Sequence, residues 1–271
     1  MISAALLDLV RDLAAAHAAS DRPPLIGIAG AQGSGKTTLA RAAAERLGGA
    51  AFSLDDVYLT RAERAALARD VHPLLAVRGP PGTHDLALAR RTTAALRAAA
   101  PGDRTPLPAF DKLADERRPA DDWPAFAGRP AAILVEGWCL GARPEPAGSL
   151  ARPVNALERE ADPGGVWRSW TNARLAGPYQ AFFGGFDAIL LLAAPDFETV
   201  LDWRCEQEAG LLGMPPGELP AGRRAELARF IQHFERVTRR MLAGETRAEA
   251  VVSLDRDRRP LRIVARPYQP R

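Results

Sequence analysis

Residues 30–38 read GAQGSGKTT and fit G-x-x-x-x-G-K-[ST], with Gly30, Gly35, Lys36 and Thr37 in the fixed positions. Glycines at 30, 33 and 35 let a chain turn so tightly that successive backbone N–H groups converge on phosphate oxygens. Lys36 supplies a compact charge that reaches β- and γ-phosphates, and Thr37 offers a hydroxyl to Mg²⁺. Ala31, Gln32, Ser34 and Thr38 complete the cradle. An apolar run precedes the segment and a helical pattern follows it, the context that separates a phosphate loop from an accidental glycine-rich turn. The motif implies binding of a nucleoside triphosphate with Mg²⁺.

Carboxylates lie near two other apolar runs. ILVEGW places Glu136 at a strand end, where a lone carboxylate can hold Mg²⁺ through water and Gly137 leaves room beside the phosphates. The bland reading of Glu136 is a strand-end acid capped by local backbone. SLDDVYLT ends the second run with Asp55 where a carboxylate would aim at the γ-phosphate, able to orient a hydroxyl and take its proton. Asp56 is the better candidate to cap the helix starting near Thr60, although alternation along the strand leaves open which acid faces in. In RGPPGTHDLALA, Thr83 is a plausible helix N-cap and Asp85 lies in the first turn. His84 reads either as a solvated loop residue or as a substrate contact. Lys112, in PAFDKLADE, is one of only two lysines among 36 basic residues, the other being Lys36. It reads as a contact to the acceptor or the γ-phosphate, or as a chance survivor of arginine drift.

Positioning these groups requires a sheet. LIGIAGA (25–31), AFSLDD (51–56), AAILVEG (131–137), DAILLLAA (187–194) and AVVSLD (250–255) read as buried strands, and LRIVARP adds a weaker edge strand. Continuous apolar runs suit a mainly parallel sheet of roughly five strands, covered by helices on both faces. Helices are expected over 36–47, 60–69, 85–99, 197–211 and 223–242, after a leading amphipathic helix within 1–20. Residues 70–82, 101–130 and 143–168 are irregular, rich in proline and charge. Long loops beyond strand ends are where such sheets bind ligands.

The 271 residues suit one large α/β domain or two small ones. Hydrophobic content of 47%, charged content of 25% and a net charge of +3 are ordinary for a globular chain. No basic stripe with interleaved aromatics points to nucleic acid, so small anionic molecules are the expected partners. Two cysteines, Cys139 and Cys205, make neither a disulfide framework nor a metal cluster. The N-terminus lacks a basic start and is interrupted by Asp8, Arg11 and Asp12, unlike a signal peptide. No run is long enough to cross a membrane, and a cytoplasmic protein is expected. An Asn-Lys-x-Asp guanine motif is absent, DPGG (162–165) follows no strand, and Glu136 has no second acid beside it. These features argue against a GTPase and a motor ATPase.

Taken in order, GAQGSGKTT, SLDDVYLT, RGPPGTHDLAL, PAFDK, ILVEGWCLGARP and VLDWRCEQE resemble the plant-type D-glycerate 3-kinases and their microbial relatives, within the phosphoribulokinase, uridine kinase and pantothenate kinase group. The resemblance runs from about residue 24 to 259. It implies a three-layer P-loop kinase fold in a single domain over 1–271, with an acceptor-binding insertion at 70–130 and a lid region at 196–242. It makes Asp55 the catalytic base and Glu136 the carboxylate beside Mg²⁺, and it places Tyr58, His84, Asp85 and Lys112 around the acceptor. Arg204 becomes the candidate to neutralise the transferred group, against the plainer reading of an ion pair with Glu208 one turn on. After FDK the plant enzymes carry a GRGDR-like segment, whereas this chain has LADERRPADDW and retains only Asp115, Glu116 and Arg117 of that character. The C-terminal half looks closer to the microbial relatives. D-glycerate is the first expected acceptor. The alternatives are an ATP-binding regulatory protein without acceptor turnover and a kinase for a nucleoside, pantothenate or a sugar phosphate.

Overall fold

Strands buried on both faces need apolar residues throughout, and the runs at 25–30, 133–137 and 188–193 meet that demand almost without interruption. The computed structural model describes residues 3–18, 22–215 and 217–265. In chain order, α1 (Ala4–Ala16), β1 (Leu25–Gly30), α2 (Lys36–Leu47), β2 (Ala50–Ser53), α3 (Arg61–Asp70) and α4 (Leu86–Ala98) come first. Four short strands follow: β3 (Arg104–Pro106), β4 (Phe110–Asp111), β5 (Glu116–Arg117) and β6 (Ala125–Ala127). Then come β7 (Ile133–Gly137), α5 (Ala156–Ala161), α6 (Val166–Arg174), α7 (Gln180–Phe183) and β8 (Ala188–Ala193). The last elements are α8 (Phe197–Leu211), α9 (Ala221–Leu242), β9 (Ala250–Leu254) and β10 (Pro260–Ala265).

The central sheet has six strands in the order β10-β9-β8-β1-β7-β2. All neighbours are parallel except β10, which runs antiparallel to β9. The sixth strand, at one edge, includes the described part of LRIVARP, the weaker edge strand expected beside the five. Successive β1 residues point to opposite faces. Leu25 and Ala29 join a core with Leu175, Phe182 and Phe183, while Ile26 and Ile28 join another with Leu39, Val200 and Trp203. The result is three layers. Among the described residues no helix is long and apolar enough to cross a membrane.

Strand register sets out the ends of three strands side by side. Glu136 of β7 stands opposite Ile28 of β1 and Ser53 of β2. It therefore lies between the strand that feeds the phosphate loop and the one that feeds Asp55, at the carboxyl ends where sheets of this type receive ligands.

Two stretches expected to be irregular carry more structure than their composition indicates. Within 143–168 lie α5 and the start of α6, and α6 continues through a wide turn at Leu175–Tyr179 into α7. Pro178 sits inside that turn, whose widened hydrogen-bonding accommodates the missing N–H. Helical periodicity is hidden here because buried Glu158, Arg168 and Thr171 replace apolar residues on the inner face.

Within 101–130, β3 pairs with β6 and β4 pairs with β5 as two antiparallel ribbons. The β4–β5 turn, which carries Lys112, is tied down by arginines rather than by apolar burial. Arg64, itself buried, donates to the carbonyls of Leu59 (3.1 Å), Ala76 (2.8 Å) and Asp115 (2.9 Å). Arg78 donates to the Lys112 carbonyl at 3.2 Å and to the Asp115 carboxylate. Asp115 takes a left-handed φ of 54° within this clamp.

Candidate active site

The phosphate loop follows β1 and opens α2 as its sequence requires. Gly33 has a φ of 76°, and a Cβ there would lie 2.5 Å from the Trp203 Cβ, so only glycine fits between loop and α8. Arg258 donates to the Gly33 carbonyl at 2.6 Å and lies over the Trp203 ring at 4.9 Å. The loop is thus braced from behind by two residues, Trp203 and Arg258, that no phosphate-loop pattern includes.

Thr37 Oγ1 donates to Glu136 Oε1 at 2.7 Å, and Lys36 Nζ stands 4.0 Å from Glu136 Oε2. Glu136 is buried, and its Oε2 has no hydrogen-bond partner among the described residues. A buried carboxylate oxygen with an ammonium at 4.0 Å but no hydrogen bond is costly unless a second cation or ordered water completes it. These oxygen donors fit Mg²⁺, a hard cation usually held by one or two carboxylates plus phosphate and water. Gly137 also answers to packing within the protein. A Cβ there would meet the Leu54 Cβ at 2.8 Å, so the glycine makes room for the residue preceding Asp55.

The chain leaves β2 through a short 3-10 turn, Leu54–Val57. Ser53 Oγ accepts from the Asp55 N–H at 3.1 Å, while the Asp56 carboxylate turns back to accept from the Ser53 N–H at 3.0 Å. Asp56 therefore caps this turn and not the helix near Thr60, which Thr60 and Glu63 cap between themselves. Burial pushes the Asp56 carboxyl up to about 6, opposed by the Ser53 N–H.

Asp55 is left free to face outward. Its Oδ1 accepts from the Tyr58 hydroxyl at 2.7 Å and its Oδ2 from Lys112 Nζ at 2.9 Å. Burial alone would raise the Asp55 carboxyl, but Lys112 and then Lys36 outweigh it and hold the group well below the usual carboxylate range. Asp55 is a ready anion. Lys112 keeps 58% of its side-chain surface in solvent, against 23% for Asp55.

Residues 57–59 and 83–85 pair antiparallel through Leu59 N–H to Thr83 O at 2.9 Å and Asp85 N–H to Val57 O at 2.7 Å. That small ladder stacks the His84 ring on the Tyr58 ring, centroids 4.7 Å apart. Thr83 is not the N-cap of α4. Its hydroxyl accepts from the Gly79 N–H at 2.9 Å and donates to the Pro80 carbonyl, closing the Pro-Gly turn. Asp85 is the cap, accepting from the Leu88 N–H at 2.8 Å with one oxygen and facing Arg117 at 3.4 Å with the other. Both Asp85 oxygens are thus engaged within the protein.

His84 is buried, and its Nδ1 lies 2.5 Å from the Tyr179 hydroxyl. Burial lowers its pKa to about 4 despite the pull of Asp55, so the imidazole is neutral at physiological pH. Tyr179 sits in the turn between α6 and α7, in a stretch where no helix was expected. Arg204 makes the pair with Glu208 at 2.7 Å, and Arg223 joins the same carboxylate at 2.5 Å. Arg204 Nη1 is buried without a partner among the described residues. Asp55, Tyr58, His84 and Lys112 are brought together. Residues missed from sequence are Tyr179, Trp203, Arg258 and the arginines that clamp the Lys112 turn; only the Asp115-Glu116-Arg117 remnant pointed toward that clamp.

No family model matches the chain. Over 204 residues it is 32% identical to the uncharacterized kinase mug58 of Schizosaccharomyces pombe, covering 70% of this chain and 72% of that protein. Over 205 residues it is 34% identical to the chloroplastic D-glycerate 3-kinase of Arabidopsis thaliana, covering 70% of this chain but only 42% of the plant protein. Among solved structures, D-glycerate 3-kinase from Cryptococcus neoformans has a TM-score of 0.74 at 21% identity, over 97% of this chain and 100% of that one. The YGR205w protein has a TM-score of 0.73 at 21% identity, over 97% and 99% of the two chains. At that identity the two structures establish the α/β kinase fold, and the curated matches, together with the phosphate loop, carry the rest. The chain belongs to the family of P-loop kinases that includes mug58 and the plant D-glycerate 3-kinase.

Proposed function

We propose that this kinase transfers the γ-phosphoryl group of ATP to the hydroxyl of a small anionic metabolite, with D-glycerate the first candidate and 3-phosphoglycerate its product. The observation that carries the reading is the Asp55 carboxylate. It is anionic, partly solvent-exposed, and one strand beyond the buried Thr37–Glu136 pair that adjoins the phosphate loop. A hydrolase would need only a water there. An acceptor kinase needs a carboxylate together with groups that recognise the rest of the acceptor, and Lys112, Tyr58 and His84 surround Asp55 in that way.

In this reading the acceptor's hydroxyl donates to Asp55, and its oxygen attacks the γ-phosphorus as the bond to the β-phosphate bridging oxygen breaks. The hydroxyl proton passes to Asp55 late in a loose transition state, and ADP leaves. Lys36 and the loop amides of Gly30 to Thr38 hold the phosphates. Thr37 and Glu136 would hold Mg²⁺, which would supply positive charge to offset the charge developing on the transferred phosphoryl group. Lys112 can leave Asp55 for an acceptor carboxylate because more than half of its side chain is already in solvent. Asp85 acts one step back, keeping the 83–85 segment against Tyr58. Segment 70–130 serves as the acceptor-binding insertion and 196–242 as the lid, from which Arg204 exchanges Glu208 for the transferred phosphoryl group on closure.

ADP release with Mg-ATP, measured across hydroxy acids, nucleosides, pantothenate and sugar phosphates, tests the proposal. Release is expected with D-glycerate, and Asp55→Asn should lower kcat by about 10²- to 10⁴-fold while ATP still binds. Release with only a nucleoside, pantothenate or sugar phosphate would move the acceptor class. Full activity in Asp55→Asn would remove the base.

A further inference from the structure

Buried hydrogen-bonding groups in the wall beside Asp55 can be counted, and the count determines where one proton sits. The Gly82 N–H donates to the Tyr179 hydroxyl oxygen at 2.9 Å, so that oxygen is already an acceptor. The same oxygen lies 2.5 Å from His84 Nδ1. If the Tyr179 O–H donates to Nδ1, both of its hydrogen bonds are made. If instead Nδ1–H donates, the Tyr179 O–H is left with no acceptor among the described residues and Nε2 becomes a bare buried acceptor. A buried O–H without a partner costs the desolvation penalty of that group. The first arrangement leaves a single uncommitted group, the Nε2–H of His84, and Nε2 indeed has no partner among the described residues.

We propose that Tyr179 is a positioning residue: with its oxygen already accepting from the Gly82 amide, it donates its O–H in a hydrogen bond to His84 Nδ1 and so fixes His84 as the Nε2–H tautomer, whose free N–H donates to an oxygen of the acceptor. The acceptor half of this statement rests on the function proposed above; the tautomer half does not. The ring is held in place as well as protonated in one sense. Tyr58 stacks on one face of His84 and donates its own hydroxyl to Asp55, so the aromatic pair joins the donor at His84 to the base at Asp55. The Tyr179 ring meets the His84 ring edge-on with centroids 5.7 Å apart. A neutral imidazole with a committed Nδ1 is a one-way donor. It suits a carboxylate or hydroxyl oxygen of an anionic hydroxy acid and offers nothing to a cationic ligand.

Long-range ¹H–¹⁵N correlation spectra of the full chain, with His84 assigned through His84→Gln, test the tautomer directly. The wild-type protein is expected to show an unprotonated Nδ1 and a protonated Nε2. Tyr179→Phe, which keeps the ring volume, should convert His84 to a mixture of tautomers. The same variant should raise KM for the acceptor about five- to tenfold, the weight of one neutral hydrogen bond, with KM for ATP unchanged. A wild-type His84 protonated at Nδ1, or a Tyr179→Phe protein with the tautomer unaltered, overturns the role of Tyr179. A shifted tautomer with an unchanged acceptor KM overturns the donation to the acceptor. Absence of hydroxy-acid-dependent ADP release in the wild type overturns the proposed acceptor class and the recipient of the Nε2–H, while the spectra decide the tautomer independently. Should Tyr179→Phe fail to fold, the wild-type spectrum alone retains the power to refute.

Discussion

Lys112 Nζ and Asp55 Oδ2 meet at 2.9 Å although 57 residues separate them in the chain. The contact explains how a carboxylate that burial would neutralise stays ionised. The sign follows from the same pair. Because the folded-state pKa of Asp55 is depressed, the ionised form persists until the pH falls well below the ordinary carboxylate value. Lys112→Ala removes the largest opposing charge, so the acid limb of kcat/KM should move upward in pH, with a lower plateau because the acceptor loses its cation. Lys112→Arg should also raise acceptor KM, since a planar guanidinium cannot replace a compact ammonium in that turn. Steady-state pH profiles of both variants check this, and unchanged kcat and KM in Lys112→Arg would end the acceptor role of Lys112.

Glu136→Gln preserves an acceptor for the Thr37 hydroxyl but removes the charge on Oε2, the oxygen that lacks a hydrogen-bond partner among the described residues. If that oxygen serves a cation, the Mg²⁺ concentration for half-maximal rate at fixed ATP should rise about tenfold or more. A Mg²⁺ titration with an unshifted midpoint would reduce Glu136 to an anchor for Thr37.

Gly33→Ala should damage the fold and the nucleotide site together. The new Cβ would combine a φ of 76° with a 2.5 Å approach to Trp203 Cβ. Strain and overpacking of this kind cost about 1–3 kcal/mol each. Thermal unfolding with and without Mg-ATP should show a lower Tm and a smaller shift on adding nucleotide. A variant with the wild-type Tm would mean that α8 yields freely to the loop.

Asp56 has the opposite titration to its neighbour. Its folded-state pKa is raised to about 6, so the folded protein holds this proton more tightly than the unfolded chain. That contribution to stability is fully present below the unfolded-state value near 4 and is lost as pH rises through about 6. Asp56→Asn keeps an oxygen for the Ser53 N–H and removes the charge. Its Tm relative to wild type should therefore rise more at pH 8 than at pH 5, and differential scanning calorimetry at the two pH values measures it. An equal change at both would show that Asp56 ionises without penalty.

The sequence by itself determined the phosphate loop and the strands behind it. The loop's function lies in backbone N–H groups over nine contiguous residues, with glycines dictated by local geometry, so the pattern and the structure are nearly the same statement. The sheet was legible because a strand buried on both faces must be apolar at almost every position, and α8 was read over 197–211 as it stands. Asp55 could be nominated, but not chosen over Asp56, because the 3-10 turn that rolls one carboxylate inward is fixed by the Ser53 hydrogen bonds and not by strand alternation. Only the tertiary structure decided what surrounds Asp55. Tyr179 reaches His84 from a helix whose inner face is partly charged, and the turn that delivers Lys112 is held by Arg64 and Arg78 through carbonyls and Asp115. Segments held by hydrogen bonds to distant backbone carry no apolar period to read, because their partners are supplied by the fold.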